Sequence, residues 1–352
     1  MSPNIPADII YPIIQNLHSD HDRKDLYAAT LVNWTFNRAA TRLLYAMLDL
    51  RSIKEKDGRL TVLHPATTLL AKPELTRYVR HIHETGDIHK TLAFLSPATS
   101  TSALTSLTLC TNLQSFSWVD NTFSQGRSQV LFMSFLLVLK TLHSLQDLTI
   151  RTSDGPEQLW SWILGLVLGR KGGKGQTSMP RSFMLGLAKI HKETLKIFGI
   201  GTTQLSLDDV EFLCGRLKRL EELVCSTSSL DAAAISQAVS KASHLQTLKL
   251  QVLSLGQGFL GSGGDYGYHS AGGYDFSGSG GRRGGTYYYH THSDLGVVSL
   301  FRVEHAWEMM VRSRLRVVWV GAARFRGQWV PNPDGNREPS LEVSCMVDRD
   351  RK

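Results

Sequence analysis

Cysteine is scarce in this chain. Cys110, Cys214, Cys225 and Cys345 are the four present, and none stands in a Cys-x-x-Cys pair. That spacing excludes a zinc ribbon or a thioredoxin-type redox centre. Cys214 and Cys225 lie inside apolar patterns, so the thiols are expected to act as small buried hydrophobes in a reducing compartment. Long apolar runs are missing too. The greasiest stretches, Val130–Leu139 and Leu159–Leu168, fall well short of the roughly 20 residues that a membrane-spanning helix requires. No basic segment leads into an apolar run at the N-terminus, so no secretory signal is expected. Together these absences predict a soluble, cytoplasmic or nuclear protein without membrane contact.

Catalytic signatures are equally thin. There is no Gly-x-Ser-x-Gly elbow, no His-Glu-x-x-His helix and no paired carboxylate arrangement. Gly169–Thr177 reads Gly-Arg-Lys-Gly-Gly-Lys-Gly-Gln-Thr, a flexible basic loop. A phosphate cradle needs Gly, four residues, then Gly-Lys-Ser/Thr. Here Gly173-Lys174 has Leu168 five residues before it and Gly175 after it. His81, His83 and His89 cluster loosely, as do His290 and His292, but no cysteine joins either group to complete a four-ligand zinc site. Non-catalytic, cofactor-free and metal-free is therefore the expectation.

Charge points the same way. Lys plus Arg number 39 against 31 Asp plus Glu, a net +8 that is mild for 352 residues and not that of a dedicated nucleic-acid binder. Gly256–Gly285 is dense in Gly, Ser, Tyr and Asp and cannot pack a core. Arg282-Arg283 and Tyr287–Tyr289 could stack on single-stranded bases. Asp265 and Asp275 dilute that charge, so a flexible insertion is expected and RNA binding through it is the alternative.

What is present begins at the N-terminus. Residues 5 to 17 read Ile-Pro-Ala-Asp-Ile-Ile-x-x-Ile-Ile-x-x-Leu. A helix starting near Pro6 would place Ile9, Ile13 and Leu17 on one face with Ile10 and Ile14 beside them. So wide a stripe exceeds what one neighbour needs. Pro12 interrupts it, and an interior proline costs about 3 kcal/mol, so the helix is expected to start late or to bend there. Asp20 or Asp22 could cap a second helix carrying Leu26, Ala29 and Val32. Phe36, Ala40, Leu43, Leu44 and Met47 recur at the spacing of a third. A cluster this small buries too little surface to stand alone, so it leans on a partner or on the rest of the chain.

Farther on, a weak repeat of the form Leu-x-x-apolar-x-apolar appears. Its copies start at Val79, Leu113, Leu145, Leu195, Leu220, Leu245 and Leu315. From Leu113 to Leu245 the intervals are 32, 50, 25 and 25 residues. The shorter ones fall in the leucine-rich-repeat range of about 20–29, and the longer ones require insertions. Alternation by two sets the third and fifth residues after each anchor on one face of a short strand. Helices must return the chain, and candidates lie at Gln129–Leu142, Leu207–Leu217, Leu230–Ala242 and Leu295–Val311. Gly335 with Pro331 and Pro333 marks a C-terminal loop.

The N-terminal run resembles the F-box. The Ile-Pro opening, Asp25-Leu26, Leu31-Val32-Asn33-Trp34 and Leu43-Leu44-Tyr45 carry that resemblance over roughly residues 4 to 50. The remainder is similar to degenerate, F-box-associated leucine-rich repeats of the fungal kind. The family's Asn or Cys three residues after the second apolar strand position is kept only at Asn121. These likenesses imply an α/β chain with an F-box-like helical module over 1–50 and a linker over 51–73. An irregular leucine-rich-repeat solenoid of parallel strands and flanking helices would fill 74–352, with flexible insertions near 169–180 and 256–292. They imply a substrate-recognition subunit of a Skp–cullin–F-box ubiquitin ligase, non-catalytic and without cofactor. Its partners would be a Skp-type adaptor, through it a cullin, and a target protein. Adaptor binding would rest on Ile5, Pro6, Ile9, Ile10, Ile13, Leu43 and Leu44. Outward strand positions Asp147, Thr149, Arg151, Glu222, Lys249 and Trp319 would hold the target, with Trp319 the leading anchor or, if both sheet faces are covered, a buried residue. The alternatives are an ordinary helical subdomain packed on an α/β body, and a protein-interaction scaffold outside any ligase.

Overall fold

The computed structural model describes residues 6–19, 21–49, 51–54, 60–85, 97–120, 138–152, 179, 181–227, 231–251, 301–321, 323–330 and 339–347. Pro6, in extended conformation, precedes α1 (Ala7–Gln15). The Pro6 carbonyl accepts from the N–H groups of Ile9 and Ile10, which closes the first turn. The helix runs through Pro12 and does not start late. Pro12 is exposed and contributes no N–H, so the cost falls on the solvent side of the helix.

Next come α2 (Arg23–Thr30) and α3 (Trp34–Leu44). Asp22 occupies the cap position of α2, but its carboxylate turns back to accept from the His18 N–H at 2.8 Å. Asn33 caps α3 through the Phe36 N–H, 3.0 Å away. These three helices share a small core of Ile10, Ile14, Leu26, Ala39 and Ala40, separate from that of the body.

The body is one open sheet of ten strands in the order β1-β4-β5-β6-β7-β8-β9-β10-β11-β12. These are β1 (Met47–Asp49), β4 (His81–Thr85), β5 (Ser115–Asp120), β6 (Asp147–Thr152), β7 (Ile197–Leu205), β8 (Glu222–Thr227), β9 (Thr247–Gln251), β10 (Val317–Val320), β11 (Ala323–Val330) and β12 (Ser340–Val347). Every pair from β1 to β10 is parallel; β11 and β12 close the edge antiparallel. A separate hairpin joins β2 (Arg51–Lys54) to β3 (Leu60–Leu63). Strand order follows chain order. Parallel crossovers of one hand then lay the returning helices on one face. Those helices are α4 (Ala66–Ala71), α5 (Pro97–Leu109), α6 (Arg181–His191), α7 (Leu207–Arg216), α8 (Ala232–Val239) and α9 (Val303–Arg312), with a 3₁₀ turn at Pro73–Tyr78. From α6 to α9 each packs on the next.

One backbone device repeats at every parallel step. The carbonyl just before a strand accepts from two consecutive N–H groups of the next copy. Ala46 O receives Arg80 and His81, Arg80 O receives Gln114 and Ser115, and Gln114 O receives Gln146 and Asp147. The same contact steps through Gln146, Lys196, Glu221 and Gln246 to Arg316 and Val317. The anchors Val79, Leu113, Leu145, Leu195, Leu220, Leu245 and Leu315 are all buried, as are Phe116, Leu148, Phe198, Leu223, Leu248 and Val318 three residues on. Trp118, Ile150, Ile200, Cys225, Leu250 and Val320 complete the inward row. The first full copy breaks the rule: its fifth position is Glu84, buried with the His64 ring 3.8 Å away.

Several boundaries differ from expectation. The sheet begins at Met47, inside the segment assigned to the N-terminal module, because Tyr45, Leu48 and Leu50 already follow the repeat spacing. The segment 51–73 is not a bare linker; it holds β2, β3 and α4. Helices α5 and α6 were not anticipated, whereas α7 and α8 lie within the expected ranges. The last helix starts at Val303, with the buried Phe301 ahead of it stacking on His305. Only Val138 and Leu139 of the expected 129–142 helix are described as helical. The antiparallel β10–β11 hairpin turns at Gly321, whose φ of 56° suits glycine. The insertions at 169–177 and 256–292 and the loop at 331–335 lie outside the described residues.

Candidate protein-interaction site

Helical spacing sorts the isoleucines of α1 into two sets. Ile10 and Ile14 turn into the module's core, while Ile9 and Ile13, four residues apart, are 50% and 52% exposed. The second apolar edge runs along α2 into α3. Tyr27 and Leu31 share one helix face, and Leu31, Val32 and Trp34 are more than half exposed, Leu31 at 70% and Trp34 at 72%. Polar bonds fix this corner. Asn37 Nδ2 donates to the Thr30 carbonyl at 2.7 Å, Thr30 Oγ1 donates to Tyr27 O at 2.6 Å, and the Arg38 guanidinium lies 5.3 Å from the centre of the Trp34 ring. A mostly polar surface does not need so many large apolar groups within 26 residues; such concentrations mark docking faces.

A cationic strut joins this module to the sheet. Arg42 lies over the Tyr11 ring at 5.6 Å and over Tyr78 at 6.0 Å. Arg77 donates to the Tyr78 hydroxyl at 2.5 Å. Burial works to raise the Tyr78 phenol, but hydrogen bonds and charge from Arg77 and Arg42 outweigh it, and its pKa lies below the ordinary value. Arg23 Nη1 donates to the Met47 carbonyl at 3.2 Å on the free side of β1. Between α2, β1 and α4 is a cleft of about 450 Å³ bordered by Arg23, Lys24, Tyr27 and Tyr45.

On the sheet, the positions between buried ones point away from the helices. Register aligns them in rows. One row reads Ser115, Asp147, Ile197, Glu222, Thr247, Val317, Arg326; the next reads Ser117, Thr149, Gly199, Val224, Lys249, Trp319, Arg324, Met346. Asp147 accepts from Ser115 Oγ at 3.1 Å and from Thr149 Oγ1 at 3.2 Å. Desolvation nevertheless raises its pKa, against those two hydrogen bonds, with Glu222 adding repulsion and His81 a smaller opposing attraction. Lys249 Nζ meets Glu222 Oε1 at 2.6 Å. Lys249 and Arg324 lie over the Trp319 ring, 6.0 and 5.1 Å from its centre.

All six nominated target-binding residues thus share one sheet face, Arg151 exposed and the others partly buried. Trp319 is half-buried between two cations and is not sealed in the core. The adaptor-binding nominations divide. Pro6, Ile9 and Ile13 face solvent; Ile10 is 1% exposed and belongs to the inner core; Leu43 and Leu44 pack partly against it; Ile5 lies outside the described residues. Ile10 therefore holds the module together and presents nothing to a partner. Sequence reasoning did not nominate Tyr27, Leu31 or Trp34, although the Tyr27–Leu31 spacing beside the Asn33 cap carried the signal.

Cys110, Cys214 and Cys225 are buried, and burial pushes each thiol up to about 12. Cys345 departs from the expectation and is exposed on β12. Among the described residues no group of three His, Cys, Asp or Glu side chains could hold a metal ion, and no helix is long and apolar enough to cross a membrane. The chain matches no family model and no curated protein.

Proposed function

We propose that the chain is the substrate-recognition subunit of a Skp–cullin–F-box ubiquitin ligase, working in the cytoplasm or nucleus. In this reading α1–α3 are the F-box and dock on a Skp-type adaptor. The ordered parallel strands and their helices are an irregular leucine-rich-repeat array whose outward face holds the target. The receptor forms no covalent bond. It bridges target and ubiquitin carrier, so that transfer proceeds at high effective concentration.

The observation that carries this reading is the pair Ile9 and Ile13. Both stand out to solvent on a helix whose other apolar side already fills the module's own core. Burying each such side chain against a partner contributes roughly 1.5–3 kcal/mol. The test is Ile9→Asp with Ile13→Asp in the full chain. Co-purification with the adaptor is expected to disappear while the circular dichroism of the sheet body is unchanged. Undiminished co-purification overturns the reading and leaves a scaffold outside any ligase.

A further inference from the structure

The outward sheet face is polarised in a way that specifies its ligand. At β6 its acid is internally answered: Asp147 holds Ser115 and Thr149. At β8–β9 Glu222 and Lys249 answer each other. At β10–β12 the balance tips. Register sets Lys249, Trp319, Arg324 and Met346 in one row across four neighbouring strands, with Arg326 in the adjacent row. Strands about 4.8 Å apart make this a continuous strip. Neither Arg324 nor Arg326 makes an ion pair among the described residues, and the Arg324 Nε–H is buried without an acceptor. Glu342 sits on β12 beside Ser344, the partner of Arg326, and forms no bridge to it. Met346 and Arg326 are exposed.

We propose that this strip docks an acidic peptide segment, rich in Asp or Glu and carrying an apolar residue, as the recognised stretch of the target. The inference deepens the receptor reading and rests on it for the ligand's role as a target. Charge complementarity argues for it: two guanidiniums without an ion pair among the described residues can take carboxylates, and Met346, on the far side of Arg324 from Trp319, offers an apolar seat. Arg324 is preorganised by stacking on the indole, so little side-chain freedom is lost on binding. A nucleic-acid strand, charged at every residue, is the poorer match: its phosphates would run on toward Glu222 and Asp147, whereas a short acidic peptide can confine its charges to Arg324 and Arg326 at the β10–β12 end.

The experiment measures fluorescence anisotropy of a labelled peptide of alternating Asp and Leu against the full chain. A Ser/Leu peptide and a single-stranded oligouridine of equal length serve as competitors. Binding of the acidic peptide is expected to weaken at least about tenfold in Arg324→Glu with Arg326→Glu. Arg312→Glu, on the helix side, is expected to leave it unchanged. Equal binding by wild type and the double variant, or stronger competition by oligouridine than by unlabelled peptide, overturns the proposal. Adaptor co-purification is followed on the same variants. If it is absent in wild type while the peptide result holds, the ligase reading fails and the acidic-segment site stands.

Discussion

In α1, Ile10 and Ile14 turn inward and Ile9 and Ile13 turn out; in β6, Leu148 and Ile150 turn inward while Asp147, Thr149 and Arg151 turn out. Both elements satisfy a core. Only the helix keeps large apolar groups on its second side. The strand closes its outer side with polar groups that answer one another, so that face needs no permanent cover. The contrast separates two kinds of contact. An apolar helix edge suits a stable, lasting partner, whereas a polar, partly paired sheet face suits recognition that can be released.

The largest expected effect breaks the comparison at its body end. Phe198 is fully buried on β7, midway along the sheet. Phe198→Ala is expected to cost about 3–5 kcal/mol by urea unfolding, since ring and cavity are lost together. A loss under about 1 kcal/mol would mean that the sheet interior is loosely filled. The module end gives a smaller and more local effect. Ile10→Ala is expected to cost about 2 kcal/mol or more, confined to α1–α3 because their core is separate. Hydrogen exchange should accelerate in α1–α3 and stay unchanged in β6–β9. Ile9→Ala, one residue away, is expected to stay within about 0.5 kcal/mol. If both isoleucines behave alike, the division between inward and outward faces is wrong.

The repeat was legible because its signal is local: an anchor leucine and two apolar residues at fixed offsets force the strand's inward row. The first rung was missed at Tyr45 because an aromatic anchor hid it and the same residues also read as the close of a helix. Pairing of β10 with β11 was not legible, since that antiparallel closure depends on the Gly321 turn and not on the leucine spacing. The face of the target-binding residues followed from alternation alone. The partners on that face did not: whether Lys249 turns to Glu222 or to a ligand depends on register between strands 27 residues apart. In the module, helical period found the stripe but not its division, because which isoleucines face inward depends on where α3 crosses α1. Glu84 shows the limit of pattern reasoning, since its position predicts an apolar residue, whereas the fold brings the His64 ring, ahead of α4, to 3.8 Å from the buried acid.

The smallest expected effect tests whether the outward sheet face serves the fold at all. Burial holds the Asp147 pKa above its ordinary value, so the native chain binds that proton more tightly than the unfolded chain does. Its contribution is favourable below the unfolded pKa of about 3.9 and is lost as pH rises through the folded value. At pH 7 the ionised carboxylate therefore weighs slightly against folding. Asp147→Asn removes that charge and its repulsion with Glu222, while one carbonyl oxygen remains to accept from Ser115 or Thr149. The side chain is only partly buried, so solvent screening limits the gain at pH 7 to a few tenths of a kcal/mol. The gain should shrink toward zero near pH 3, where both states of the wild type are protonated. Urea midpoints at the two pH values check this. A loss of more than about 1 kcal/mol at pH 7 would show that the two hydroxyl bonds to the carboxylate outweigh its desolvation. The sheet face would then be part of what holds the body together, and the contrast with the helical module would narrow to the apolar groups alone.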